Sequence, residues 1–451
     1  MSVPDHGPLA AWGRRPVRVV ELVVMCVVAV ALTVGSLLHK LRCAEQGLGL
    51  ADVTGRACLG DTLSLWGIRD LGTHVFPYVG ALQADPPLPP GTLEYPTLTG
   101  LWAWASALFV DTLPAFLVVT AVTFVPVVVV VTVMLAKTAG RRAWLFAATP
   151  PLFLYALYNW DLLTVLCTVA GLFAAVRWPG GRAPVRRAVV VGALFGLGGA
   201  FKLYPVAFVA PFALAFLVDA ALAWPDRLRR AAGAVGGAIA VLVAANLPFA
   251  LIAPASWFSV IRFQGIRDVD PSTLSVWYWG LQPWSASTDA QTQHTLNLLA
   301  TAATAVTVVA VLVAGVVIGI RRGRMPWIET SAALLCAYLV SNKVDSLQYV
   351  LWLLPFFVVV RVRIGWALAY IGANLLLFFG WFRSFYLHAV GTTGRTYADE
   401  ALSVGIWGQA ILLVVLVFVF LRARAVDRDV LDGRGAPGVT TIDRGTNLEV
   451  D

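Results

Sequence analysis

Apolar runs of about 20 residues recur along the whole sequence, and each is long enough to cross the ~30 Å hydrocarbon core of a bilayer as a helix. With no water inside the bilayer, backbone N–H and C=O groups must be satisfied within the segment itself, which a helix does and an open strand does not. Charged residues are 13% of the 451, against about 25% in an ordinary soluble chain. The expected fold is therefore an all-α polytopic membrane protein with the lipid bilayer as its first partner. A net charge of +8 would point to nucleic acid in a soluble protein. Here the charge sits as Arg clusters in the short loops between apolar runs, as the positive-inside rule requires, so no nucleic-acid partner is expected.

Those loops thread the chain. Basic residues at 14–18, 137–142, 177–187, 227–230, 321–324, 361–363 and from 422 onward are assigned to the cytoplasmic side. Two crossings between each successive pair give about twelve spans with both termini cytoplasmic. The spans read as 19–38, 114–136, 143–158, 161–177, 187–201, 204–223, 230–252, 295–320, 327–341, 346–361, 364–381 and 403–421. The apolar stretch at 97–110, with Trp102 and Trp104, would invert every later loop if it crossed, so it reads as a re-entrant or interfacial helix. A thirteen-span arrangement with the N-terminus outside is the alternative. The first run follows Arg14, Arg15 and Arg18 and is too long for an ordinary signal-peptide core, so it reads as a retained span after a cytoplasmic segment at 1–18. The polar 422–451 segment reads as a disordered cytoplasmic tail.

This threading places the long polar segments 39–96, 253–294 and 382–402 outside, with the short turns at 158–161, 201–205 and 341–346. Chemistry is expected at the extracytoplasmic face of a multi-pass plasma-membrane protein. Cys43 and Cys58 share the first of these segments, where the compartment permits a disulfide, while Cys26, Cys167 and Cys336 lie in apolar spans as small packing residues. No Cys/His pattern has zinc-ligand spacing. No required cofactor is implied, and the outer acids leave a divalent metal open.

Two kinds of residue carry the chemical reading. The first outer segment holds Gly60-Asp61-Thr62, Arg69-Asp70, Phe76-Pro77-Tyr78 and Leu93-Glu94-Tyr95-Pro96. Asp61 or Glu94 suits a general base taking a proton from a hydroxyl, and equally suits an ordinary solvated or capping acid. Lysine is the scarcer signal: four residues among the 33 basic ones, Lys40, Lys137, Lys202 and Lys343. Lys202 and Lys343 lie at outer ends of spans, against the charge rule. Cations there are costly, and they suit a lipid phosphate through charge-assisted hydrogen bonds, or snorkel as anchors. Asp161, in Asn159-Trp160-Asp161, caps the following helix or holds one of these lysines. The second outer segment mixes Arg262, Gln264, Arg267, Asp268 and Asp270 with Trp277, Tyr278, Trp279 and Trp284, which suits sugar stacking or a membrane interface.

Taken in order, Asp61, Pro77-Tyr78, Glu94-Tyr95-Pro96, Asn159-Trp160-Asp161, Lys202-Leu203-Tyr204-Pro205, Asn342-Lys343, Gln348-Tyr349, Trp352 and Pro355 resemble glycosyltransferase family 87, over about residues 58–360. This is a GT-C superfamily group common in actinobacteria, and it includes polyprenyl-phosphomannose-dependent mannosyltransferases of phosphatidylinositol mannoside and lipomannan synthesis. The resemblance implies a GT-C-like fold and a cell-envelope glycosyltransferase. It would move a sugar, mannose by family, from a polyprenyl-phosphate donor to a glycolipid or polysaccharide acceptor, with inversion. It implies Asp61 as catalytic base, with Lys202 and Lys343 on the donor phosphate. Glu94, Tyr95, Asp161, Tyr204, Asn342 and Tyr349 would position substrate. Related sequences carry aromatic-Ser-Asp where this chain has Leu59-Gly60-Asp61, which leaves Asp70 and Glu94 as alternative bases. The competing reading is a transporter or flippase of lipid-linked glycans. It is weighed against by charged motifs gathered at one face and by the lack of an inverted repeat.

Overall fold

The apolar runs become helices of two lengths. The computed structural model describes residues 17–45, 48–83, 87–178 and 184–425. The helices that matter for the site are α1 (Val19–Leu41), α2 (Asp61–Ile68), α3 (Thr97–Ala107), α4 (Leu113–Ala139), α5 (Asp161–Arg177), α6 (Pro184–Phe201) and α7 (Val209–Val218). They continue as α8 (Trp224–Ile252), α9 (Pro254–Ile266), α10 (Ala290–Arg322), α11 (Trp327–Ser341), α12 (Val350–Val359), α13 (Ile364–Ala389) and α14 (Tyr397–Arg422). Among the described residues there is no strand, only an isolated antiparallel bridge between Val360 and Ala425. This is an all-α, membrane-embedded protein: the 7 helices α1, α4, α6, α8, α10, α13 and α14 are long and apolar enough to cross a bilayer.

The other five expected spans are shorter or broken. Residues 143–158 form two short helices, Trp144–Ala147 and Pro150–Tyr155, because Pro150 and Pro151 bring no N–H to extend the first into the second. α5 has 17 residues, α11 has 15, and α7 and α12 have 10 each. At 1.5 Å per residue, fifteen residues reach only about 22 Å. The 97–110 stretch forms α3, of 11 residues, about 16 Å long and too short to cross.

Small residues set the packing of the long helices. In α6 and α8 a Cβ added at Gly192 would lie 1.9 Å from the Ala234 carbonyl oxygen, and one at Gly237 would lie 2.2 Å from that of Val189. Backbones that close are how helices associate in lipid, where burial of apolar surface gives no net drive. Gly380 and Gly405 do the same between α13 and α14. The short helices fill the middle, and α12 is buried at every position.

Three of the segments expected on the cytoplasmic side meet one another and the start of α1. Arg142 donates to the carbonyls of Phe357 (2.6 Å) and Val358 (3.1 Å), and Arg141 pairs with Glu21 at 3.0 Å. The Arg361 N–H donates to the Arg424 carbonyl at 2.8 Å. Arg14 and Arg15, part of the 177–187 loop and the 426–451 tail lie outside the described residues. Past the other end of α1, Cys43 and Cys58 form a disulfide with a Cα–Cα distance of 6.2 Å. The pairing left open by the sequence is thus made, and it closes the loop just before α2.

Candidate functional site

Helix ends gather where the polar residues are. Asp161 is the first residue of α5, and Lys202 follows the last residue of α6. Asn342 caps the end of α11 and Tyr349 the start of α12. Between these ends lies a cavity of about 880 Å³, lined by Asp61, Glu94, Tyr95, Lys202, Tyr204, Asn342, Lys343 and Tyr349 among others. Eight of the residues singled out in the sequence thus share one space.

Asp61 is held from three directions. Thr62 donates through its N–H to the Tyr158 carbonyl (3.2 Å) and through its hydroxyl to that of Leu157 (2.5 Å). The buried Lys40 ammonium, beneath the turn, donates to the carbonyls of Cys58 and Leu59, both at 2.8 Å. The Tyr95 hydroxyl donates to the Asp61 carboxylate. Gly60 has a packing reason. A Cβ there would come within 2.8 Å of the Lys40 Nζ and 3.0 Å of the Tyr158 carbonyl oxygen. Burial pushes the Asp61 carboxyl up, opposed by the Tyr95 hydrogen bond and reinforced by the Glu94 charge. A carboxylate tuned upward is a better proton acceptor near neutral pH.

Lys202 meets Asp161 at 2.6 Å. Its ammonium also lies about 5 Å from the ring centres of Tyr95, Tyr349 and Trp352, a cation–π arrangement strengthened by low hydration. Trp352 stacks between Tyr204 (4.3 Å) and Tyr349 (3.7 Å). Asp161 stands behind the cavity wall as the holder of the lysine, the second of the roles its position allowed. Tyr95 therefore touches both Asp61, through its hydroxyl, and Lys202, through its ring face.

Lys343 lines the cavity but spends its donors on the protein: Asn297 Oδ1 at 2.6 Å and the carbonyls of Arg267 (2.8 Å) and Gly265 (3.3 Å). Burial, then the neighbouring Arg267 charge, lowers its ammonium to about 8. Glu94 faces the cavity while pairing with Arg69 at 2.9 Å, so as a base it would first have to give up that partner. Asn342 donates to the Val344 carbonyl at 2.8 Å and shapes the turn before Lys343. Asp70 is exposed, in the left-handed region at φ 52°, and is not part of the cavity wall.

Sequence reasoning passed over Lys40 and Asn246. Lys40 carries the same signal that singled out Lys202, a cation at the expected outer end of a span. Asn246 lies within the apolar run of α8, and polar residues in such runs are functional candidates. Its Oδ1 accepts from Thr97 (2.7 Å) and from the Trp257 ring N–H (3.0 Å), which ties α8 to α3 and α9. Leu203, Leu242, Val260 and Ile261 make one flank of the cavity apolar. Leu203 and Ile261 are also exposed on the surface. Among the described residues no group of three or more His, Cys, Asp or Glu is placed to hold a metal ion.

No family model matches the chain, and no curated protein sequence matches it. The class defined by fold and composition is an all-α membrane protein.

Proposed function

We propose that the protein is a membrane glycosyltransferase of the GT-C type, related in kind to glycosyltransferase family 87. It would move a sugar, mannose by that resemblance, from a polyprenyl-phosphate donor to a glycolipid or cell-envelope polysaccharide acceptor on the extracytoplasmic side. The observation that carries the reading is Tyr95 joining the Asp61 carboxylate to the Lys202 ammonium on one cavity wall, beside an apolar flank suited to a lipid tail. Asp61 takes the proton from an acceptor hydroxyl as its oxygen bonds to the anomeric carbon. The bond from that carbon to the phosphate oxygen breaks, and its electron pair leaves with the polyprenyl phosphate. Attack opposite the leaving group inverts the centre. Lys202 and Lys343 set the positive side of the cavity, where developing phosphate charge is stabilised without reorganisation. Glu94, Tyr95, Tyr204, Asn342 and Tyr349 shape the acceptor space, and Asp161 holds Lys202.

Asp61→Asn is expected to lower transfer of labelled sugar from a polyprenyl-phosphate donor by at least about a thousandfold, with thermal unfolding in detergent unchanged. Transfer by the wild type should fall as pH drops through the raised Asp61 value, because the base works only when ionised. Wild-type turnover by Asp61→Asn would remove Asp61 from the mechanism. Transbilayer movement of a lipid-linked glycan without any sugar transfer would favour the transporter reading instead.

A further inference from the structure

Three cations line the cavity: Lys202, Arg267 and Lys343. Lys202 is committed to Asp161 and its aromatic surround. Lys343 has an acceptor for each of its three N–H bonds. Arg267 differs from both, since among the described residues its guanidinium makes no hydrogen bond or ion pair. The acid on the same wall, Asp270, is itself engaged by the N–H (2.7 Å) and hydroxyl (2.5 Å) of Ser272. The Arg267 backbone, by contrast, is fastened twice. Its N–H donates to Phe263 at 3.0 Å, ending α9, and its carbonyl receives the Lys343 ammonium at 2.8 Å.

A half-buried guanidinium on a fixed backbone, with its donors unspent and facing a cavity, is a ready anion fork. Its planar pair of N–H groups matches two phosphate oxygens, which a lysine cannot do. The apolar flank formed by Leu203, Leu242, Val260 and Ile261 lines the same cavity. An anion with a hydrocarbon tail fits both features, and a free anion fits only one.

We propose that Arg267 is the direct ligand of a lipid phosphate, and that Lys343 acts as a positioning residue by holding the Arg267 carbonyl. This rests on reading the cavity as a lipid-phosphate enzyme site. Cleavage of the sugar–phosphate bond turns a singly charged diester into a more highly charged monoester. Arg267 therefore binds the departing group more tightly than the donor, which is what lowers a barrier.

The test uses the full chain in detergent with farnesyl phosphate, farnesol and inorganic phosphate as probes. Farnesyl phosphate should bind the wild type most tightly, Arg267→Gln at least tenfold more weakly, and Arg267→Lys in between. Farnesol, lacking charge, should bind wild type and Arg267→Gln alike, which also reports that the variant is folded. Equal farnesyl phosphate affinity in wild type and Arg267→Gln would overturn the proposal. So would inorganic phosphate binding as tightly as farnesyl phosphate, since the site would then take a free anion. Retained sugar transfer by Asp61→Asn alongside Arg267-dependent binding would break the base assignment and leave the phosphate ligand standing.

Discussion

α8 and α12 are both strongly apolar, yet they meet different solvents. In the 29 residues of α8 only Ala231, Ala234, Gly237 and Ala238 are buried by protein, whereas all 10 residues of α12 are. The long helix is about 44 Å and the short one about 15 Å, so α8 can span a bilayer with its flanks in lipid while α12 cannot span one at all. The difference teaches where a site can form in such a protein. Helices that cross completely satisfy their backbone and present apolar sides. Helices that stop short leave backbone ends and polar turns inside the bundle, where they are tolerated only if buried or lining a cavity. Asp161, Asn342 and Tyr349 stand at such ends, and Lys202 lies in the turn that leads from α6 into the short α7.

The sharpest way to break this contrast is to unpair the inner region. Lys202→Met leaves the Asp161 carboxylate buried without its cation, and loss of one partner of a buried pair costs about 3–5 kcal/mol. Thermal unfolding in detergent should show that loss, and adding Asp161→Asn to the same chain should recover most of it. A single variant as stable as wild type would mean the inner ends are wetter than their burial implies.

A smaller effect is expected on the outer layer, and it should depend on the face touched. Gly237→Ala puts a Cβ 2.2 Å from the Val189 carbonyl oxygen, so α6 and α8 must separate at a cost of about 1–3 kcal/mol. Val309→Ala on α10, more than half exposed, should change stability by less than about 0.5 kcal/mol. Equal effects at the two positions, measured by the same unfolding assay, would erase the distinction between helix-facing and lipid-facing surface.

A pH-dependent effect concerns Asp345, in the turn between α11 and α12. Burial raises its carboxyl to about 7, opposed by hydrogen bonds from Ser346 and Gln409, while an unfolded aspartate titrates near ~3.9. Between those values the folded protein holds a proton that the unfolded chain has lost, so stability falls as pH rises and levels off above about 7. Asp345→Asn removes the titration. Its advantage over wild type should grow from pH 5 to pH 8, and parallel pH curves for the two proteins would show that this turn is not a dry interior.

The legibility of the site follows the same division. The charge rule found Lys202 and Lys343 because a cation at a disfavoured place is visible one residue at a time. It could equally have found Lys40, which lay in the same kind of position. Asp61 and Asp70 were indistinguishable as acids in one polar segment, since residue type does not encode that one lines the cavity and the other is exposed. Arg267 was one of several charges in an aromatic-rich segment. Its free guanidinium became apparent only when its neighbours were seen to be spent on one another.

Composition and the length of the apolar runs were enough to determine a helical membrane protein, because hydrophobic length and charge are local properties summed along the chain. Which helices would fall short, and which polar groups would meet in the space they leave, was decided only in three dimensions. Gly192 and Gly237 draw α6 and α8 together, and Lys40 closes the turn before Asp61 from a helix some twenty residues earlier. Each of these is a contact between segments distant in sequence, and its energy depends on distance and burial that residue order does not contain.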